Sequence, residues 1–172
     1  MATSLPSSRR SPGVEVAALS VIVQPESFDP GELQQQLLGS EAAEGAVASF
    51  TGYARCSNDG RGVDSLFIEH YPGMTEQSIE TTLEQAAARW PVLAAGVVHR
   101  IGDLKPGDPI VWVGVSSAHR AAAFSACEFI MDYLKTRAPF WKKESGPEGE
   151  SWVASRDTDA ARARRWGGDA EV

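Results

Sequence analysis

Four basic side chains, Lys135, Arg137, Lys142 and Lys143, fall within nine residues that contain no acid, in a chain of 172 residues with a formal net charge of −7. Cations at that local density can hold an anion or stabilise negative charge in a transition state. A lysine crowded by other cations can also move a proton near neutral pH. They lie in the stretch FIMDYLKTRAPFWKKE, Phe129 to Glu144. Its first half reads as the end of a helix, because Cys127, Ile130 and Leu134 recur at three- and four-residue spacing on one apolar face. Pro139 stops that helix, since it lacks an N–H and disfavours α conformation at Ala138. Phe140 and Trp141 follow the corner, then Lys142 and Lys143. The same pattern also fits a plain helix end, with cations answering its dipole and two rings buried in the core.

A second cluster is His119-Arg120, directly after Ser116-Ser117-Ala118. Cations in a first helical turn oppose the dipole, yet the free N–H groups there attract anions, so phosphate or carboxylate binding and simple solvation both fit. Arg55 ends a strand through Thr51-Gly52-Tyr53, where Gly52 permits close backbone approach. A single Arg at a strand end is more often a surface residue. His70 and His99 fall in apparent strands and read as structural histidines. Cys56, beside Arg55, reads first as an incidental surface thiol, with a persulfide carrier as the chemical alternative. No His/Cys/Asp/Glu spacing fits a metal site, and there is no phosphate-loop, dinucleotide-binding or nucleophile-elbow motif.

The elements that must position these groups are legible from periodicity and punctuation. Val14 to Val23 reads as a first strand. Asp29-Pro30-Gly31-Glu32 starts a short helix with an N-cap, Pro at N1 and Glu at N3. Leu33, Leu37 and Leu38 give it an apolar face, and Gly39 ends it. Gly45 to Tyr53 reads as a second strand and Val63 to His70 as a third, paired with it as a hairpin across a polar loop turning at Asn58-Asp59-Gly60. Met74 to Trp90 is the clearest helix, with Ile79, Leu83, Ala86, Ala87 and Trp90 in one stripe. Two strands, Val97 to Ile101 and Ile110 to Val115, flank the turn at Lys105-Pro106-Gly107-Asp108. Ser116 or Ser117 caps the long helix to Arg137. Trp152 to Ala154 reads as a short strand and Asp157 to Trp166 as a terminal helix. Interspersed helices and hairpin-like strands define an α+β class.

The totals bound the answer further. The length fits one domain with a real core. A sequence pI near 5.0 argues against broad nucleic-acid or anionic-membrane binding. Two cysteines, Cys56 and Cys127, make neither a disulfide framework nor a zinc site. No apolar run reaches transmembrane length. Residues 1–13, rich in Ser, Pro and Arg, read as a disordered extension, residues 14–166 as one domain and 167–172 as a frayed tail. The extension is basic and acid-free like a transit peptide but short and poorly amphipathic, so a cytoplasmic location is expected.

The strings FTGYAR, EHYPGMTE, RWP, HRIGDLKPGD, VGVSSAHRAAAF and FIMDYLKTRAPFWKKE together resemble the large, catalytic subunit family of molybdopterin synthase, in that family's order and with similar spacing, from about Val16 to Trp166. The resemblance implies an α/β hammerhead fold with an additional antiparallel β subdomain. It implies a homodimer in which each protomer binds a ubiquitin-like sulfur-carrier small subunit, a heterotetramer overall. The implied reaction transfers sulfur from the carrier's C-terminal thiocarboxylate to precursor Z, a cyclic pyranopterin monophosphate, forming the dithiolene of molybdopterin without metal or other cofactor. By motif match the essential lysines fall on Lys135 and Lys142. The substrate-contacting segments fall on Tyr53, Ala54 and Arg55, on His119 and Arg120, and on Lys142, Lys143 and Glu144. Arg156 matches an additional basic residue near the pocket. Tyr53 and Ala54 depart from the basic and β-branched residues common there in relatives, while Arg55 is retained.

The residue types suit that chemistry. Both reactants are anionic, so an acidic protein must concentrate cations locally. Arg55, His119 and Arg120 suit phosphate, Arg through its planar donor fork. Lys135 is assigned to charge stabilisation or proton transfer, Lys142 to the thiocarboxylate or its acyl intermediate, and Phe140 and Trp141 to the channel for the carrier tail. The reading from another class is a non-catalytic adaptor that binds a ubiquitin-like tail in the same groove. Helix geometry adds one constraint. His119 and Lys135 are sixteen residues apart, about 24 Å along one helix, whereas precursor Z is roughly 10 Å long. Either the helix breaks, or His119-Arg120 serves another pocket, or it completes the site of a second protomer.

Overall fold

The computed structural model describes residues 17–153 and 157–167. Among the described residues ten strands and four helices form two four-stranded sheets and one two-stranded ladder, with helices on the first sheet, an α+β architecture as expected. The first sheet holds β1 (Ala18–Gln24), β6 (Val92–Arg100), β8 (Pro109–Ser117) and β2 (Ala46–Tyr53), in the order β1-β6-β8-β2. β1 runs parallel to β6, and the other pairs are antiparallel. Strands β6 and β8 are apolar almost throughout because both their faces are covered. Val97 and Val113 point to α2 (Met74–Arg89) and α3 (Arg120–Thr136), packing with Leu83, Phe129 and Ile130. Their neighbours Val98 and Trp112 face α1 (Pro30–Gln36), meeting Leu33 and Leu37. Gly114 is required in this layer, since a Cβ there would sit 2.4 Å from the Trp112 ring.

The second sheet is wholly antiparallel, in the order β10 (Gly149–Trp152), β9 (Phe140–Gly146), β5 (Ser65–His70) and β7 (Gly102–Leu104). Its small apolar layer is Ala54, Leu66, Ile68 and Leu104. Between β2 and β5 a two-residue ladder joins β3 (Ser57–Asn58) to β4 (Arg61–Gly62), turning through Asp59 and Gly60 at positive φ. The last helix is α4 (Asp157–Arg164). It is tied to α3 just beyond its end, where buried Asp132 accepts from Arg165 Nη2 at 2.9 Å and Trp166 Nε1 at 2.8 Å. The Trp166 ring stands edge-on to Trp90 and Phe129.

Several boundaries and pairings differ from the sequence reading. β2 does not form a hairpin with β5. It pairs with β8 at the edge of the first sheet, and β5 pairs with β7 and β9 in the second. Loop chemistry marked the turn but not the partner. Neither Ser116 nor Ser117 caps α3; both lie fully buried at the end of β8, and His119 occupies the N-cap. The Ser117 hydroxyl instead donates to Pro91 O at 2.8 Å and accepts from His119 N at 3.3 Å. Helix α1 stops earlier than Gly39, with Leu37 as C-cap, which leaves Leu38 47% exposed rather than on the buried face. Strands β7 and β9 carry no foreseen signal, and the loop read around Asn58-Asp59-Gly60 holds the short strands β3 and β4. β10 lies earlier than Trp152 to Ala154, and Ala154 falls outside the described residues. The first strand is described over Ala18–Gln24, and Val14 to Val16, the extension 1–13 and residues 168–172 also lie outside the described residues.

Candidate active site

The corner after α3 is held by the start of α2. Thr75 Oγ1 donates to Pro139 O at 3.2 Å and accepts from Tyr71 N at 3.0 Å, while Ser78 Oγ donates to Arg137 O at 3.3 Å. The chain then leaves as β9, with His70, Glu69, Ile68 and Phe67 of β5 opposite Phe140, Trp141, Lys142 and Lys143. Side chains along a strand alternate between faces. Phe140, Lys142 and Glu144 therefore share one side, with Trp141 and Lys143 on the other.

That first side is a wall of a cleft of about 1170 Å³. Strand β2 and the residues after it supply Phe50, Tyr53, Ala54 and Arg55. Helix α3 supplies Phe124, Met131 and Lys135, and α4 supplies Thr158, Asp159 and Arg162. The clamp of Asp132 on Trp166 and Arg165 explains how a short polar helix is held at this rim. Ala54 contributes packing and backbone: its side chain is buried, and its N–H donates to Asp108 O at 2.9 Å. Gly52 marks a register irregularity in the β2–β8 ladder, and a Cβ there would stand 3.0 Å from Val111 Cγ1.

Burial and then the charge of Lys135 push the ammonium of half-buried Lys142 down to about 8, with Asp159 opposing. His99 lies flat on Phe140, ring centroids 3.7 Å apart and planes 15° from parallel. Its burial, then the charge of Lys142, drive its pKa down to about 3, so the ring is neutral at any working pH. Its Nδ1 lies 2.7 Å from Arg100 O. A carbonyl can only accept, so Nδ1 carries the proton and Nε2 keeps its lone pair. Arg55 Nη2 donates to Asn58 Oδ1 at 2.9 Å, and Asn58 Nδ2 donates to both Glu144 oxygens at 3.0 and 3.1 Å. Buried Cys127 is pushed up to about 11, first by burial and then by Glu128, so it stays a thiol.

The structure thus brings Tyr53, Ala54, Arg55, Lys135, Phe140, Lys142 and Glu144 to one cleft, from positions up to ninety-one residues apart in the sequence. It does not bring the others there. His119 and Arg120 are exposed at the far end of an unbroken α3. Lys143 turns outward to Glu150, 3.0 Å away, and lies over Trp152. Trp141 is 48% exposed on that same outer side rather than in a channel with Phe140. Arg156 lies outside the described residues, and Cys56 is exposed and not part of the wall. His99 is the buried, hydrogen-bonded histidine of a strand that its sequence context suggests, whereas Asn58 reaches beyond its turn to the cleft. The apolar run around His99 was the only hint of its burial, and Asn58 was read solely as turn chemistry. Among the described residues no group of three His, Cys, Asp or Glu is placed to hold a metal, and no helix is long and apolar enough to cross a membrane.

Residues 23–137 match the family described as MoaE protein. The chain is 53% identical over 148 residues to the molybdopterin synthase catalytic subunit of Pseudomonas aeruginosa, covering 86% of this chain and 99% of that one. It is 50% identical over 151 residues to the protein of the same name from Escherichia coli, covering 88% and 100%. Among solved structures, the molybdopterin biosynthesis MoaE protein from Burkholderia ambifaria superimposes with a TM-score of 0.75 at 43% identity, over 90% of this chain and all of that one.

Proposed function

Because the chain belongs to the MoaE protein family, that of the molybdopterin synthase catalytic subunits, an enzyme family of molybdenum cofactor biosynthesis, we propose that its cleft moves sulfur from the C-terminal thiocarboxylate of a ubiquitin-like carrier subunit to precursor Z, forming the dithiolene of molybdopterin. The observation that carries this reading is the meeting of Lys135, Lys142 and Arg55 in one cleft, with Lys142 held near 8. An acidic protein has concentrated its cations where two anionic reactants must meet. A guanidinium at the mouth suits the phosphate, and the ammonium groups suit the thiocarboxylate and the charge that develops as sulfur attacks the side-chain carbons of the precursor.

The electrostatics favour a different division between the two lysines. With its pKa near 8, about a tenth of Lys142 is neutral at pH 7, enough to accept and return a proton during turnover. Lys135 lowers that pKa by its charge and lies across the cleft on α3, where it can neutralise the thiocarboxylate. This supports proton transfer at Lys142 and anion stabilisation at Lys135, the reverse of the division drawn from residue chemistry in the sequence.

His119 and Arg120 enter this scheme through a second protomer. They stand about 24 Å along α3 from Lys135, at 1.5 Å per residue, and the helix is continuous, so one protomer cannot present both ends to one pterin. A two-fold dimer in which each His119-Arg120 pair completes the other cleft uses them both. The deciding experiment incubates the protein with thiocarboxylated carrier and precursor Z and follows the pterin by mass spectrometry. A gain corresponding to two sulfurs is expected. Tight carrier binding with no mass change on the pterin would leave an adaptor instead of an enzyme.

A further inference from the structure

The reading of the cleft as the site for a phosphate-bearing pterin leaves one of its walls unexplained. Arg55 and Glu144 both face the cleft, and a guanidinium beside a carboxylate ordinarily closes into a two-pronged ion pair. Here they do not meet directly, because the amide of Asn58 stands between them. Its oxygen takes one Arg55 donor at 2.9 Å, and its nitrogen spans both Glu144 oxygens at 3.0 and 3.1 Å. The bridge is held from behind. Asn58 closes the β3–β4 ladder, Val63 N donates to Cys56 O at 2.9 Å, and Arg61 anchors the turn to Ser151 at 3.1 Å and Glu148 at 3.3 Å.

Resting on that reading of the cleft, we propose that Asn58 is a positioning residue for substrate binding: it holds Arg55 and Glu144 apart, so that the guanidinium keeps its charge and donors for the phosphate of precursor Z. A neutral amide is suited to this. It satisfies the carboxylate with two N–H···O contacts and uses one Arg donor, leaving the others in the fork free for an anion. A carboxylate at position 58 would neutralise Arg55 and repel Glu144, and a residue with no polar group would let Arg55 fall onto Glu144.

The test is calorimetric binding of precursor Z to the full-length protein, with steady-state kinetics alongside. Asn58→Ala is expected to weaken precursor binding and raise its KM about tenfold, with kcat and carrier affinity changed less than threefold. The discriminating arm is the background in which Glu144→Gln removes the ion pair that Arg55 would otherwise form. There Asn58→Ala should have little further effect on precursor affinity, because no carboxylate remains to draw Arg55 away. Asn58→Asp covers the case in which Asn58→Ala disturbs the hairpin. It preserves the acceptor for Arg55 and should weaken binding more than Asn58→Ala in either background, because the new carboxylate pairs with Arg55 whether or not residue 144 is charged. Equal losses from Asn58→Ala in both backgrounds, or tight binding by Asn58→Asp, would overturn the proposal. Arg55→Ala separates this from the site assignment: unchanged precursor binding by that variant would remove the phosphate site itself and the proposal with it.

Discussion

Replacing Lys142 with methionine is expected to stabilise the fold while removing turnover. A lysine in the unfolded chain ionises near 10.5, whereas in the cleft it does so near 8. Folding with the ammonium charged therefore costs about 3 kcal/mol at neutral pH. The sign follows from proton counts. Below pH 8 both states are protonated and the whole cost is present. Between about 8 and 10.5 the unfolded chain holds more protons, so stability rises with pH through that window and the cost is gone above it. Methionine keeps an unbranched apolar stem and carries no charge. At pH 7 Lys142→Met should be more stable by up to about 3 kcal/mol, roughly 6–12 °C in Tm for a domain of this size. The advantage should shrink to nothing by about pH 10.5. Urea unfolding of both proteins at pH 7, 9 and 10.5 measures this, and subtracting one series from the other cancels the remaining titrations. Equal stability at pH 7, or an advantage that persists unchanged at pH 10.5, would refute the account of Lys142 as a group held charged against its environment.

Lys135→Ala should keep the fold, since Lys135 is an exposed residue of the last turn of α3, but lose about 10²–10³ in turnover, measured as molybdopterin formed per carrier consumed. Mixing inactive His119→Ala/Arg120→Ala and Lys135→Ala proteins under subunit exchange should restore activity towards about a quarter of wild type, because each random heterodimer keeps one intact composite cleft; continued inactivity of verified heterodimers would remove the shared site. His99, with its folded pKa near 3 against 6.5 unfolded, binds fewer protons folded than unfolded between those values. Stability should therefore fall by up to about 4–5 kcal/mol as pH drops from 6.5 to 3, and His99→Phe, which keeps a ring against Phe140, should flatten that limb in acid unfolding curves.

The stability cost and the chemistry have a common origin. Lys142 is useful near neutral pH because burial and Lys135 make its proton easy to remove, and the same terms oppose folding. Asp159 of α4 moderates that cost from the opposite rim. The position of α4 is secured by the contacts of Asp132, Trp166 and Arg165, and so bears on the cleft from outside it.

Much of the molecule was legible without coordinates, and the reasons are local. Leu83 and Ala86 mark the buried stripe of α2, Pro139 the end of α3, and Asp59-Gly60 a turn, because each acts within a few residues of itself. The basic run from Lys135 to Lys143 and the order of the quoted strings carry the family in the same direct way. Strand partners are another matter. β9 has no apolar alternation to read, since one of its sides lines a charged cleft and the other is open to solvent, so only β5 and β10 make it a strand. That pairing turns Lys142 and Glu144 inward and Lys143 and Trp141 outward, a distinction the string FWKKE does not contain. The neutral His99 and the softened Lys142 likewise come from desolvation and from charges brought by other segments. Asn58 becomes a bridge only because the hairpin that carries it folds against a strand eighty-six positions further on. Types, spacing and local caps are properties of neighbouring residues and stand written in the chain; facing, burial and coupling are properties of pairs that only the closed tertiary structure brings together.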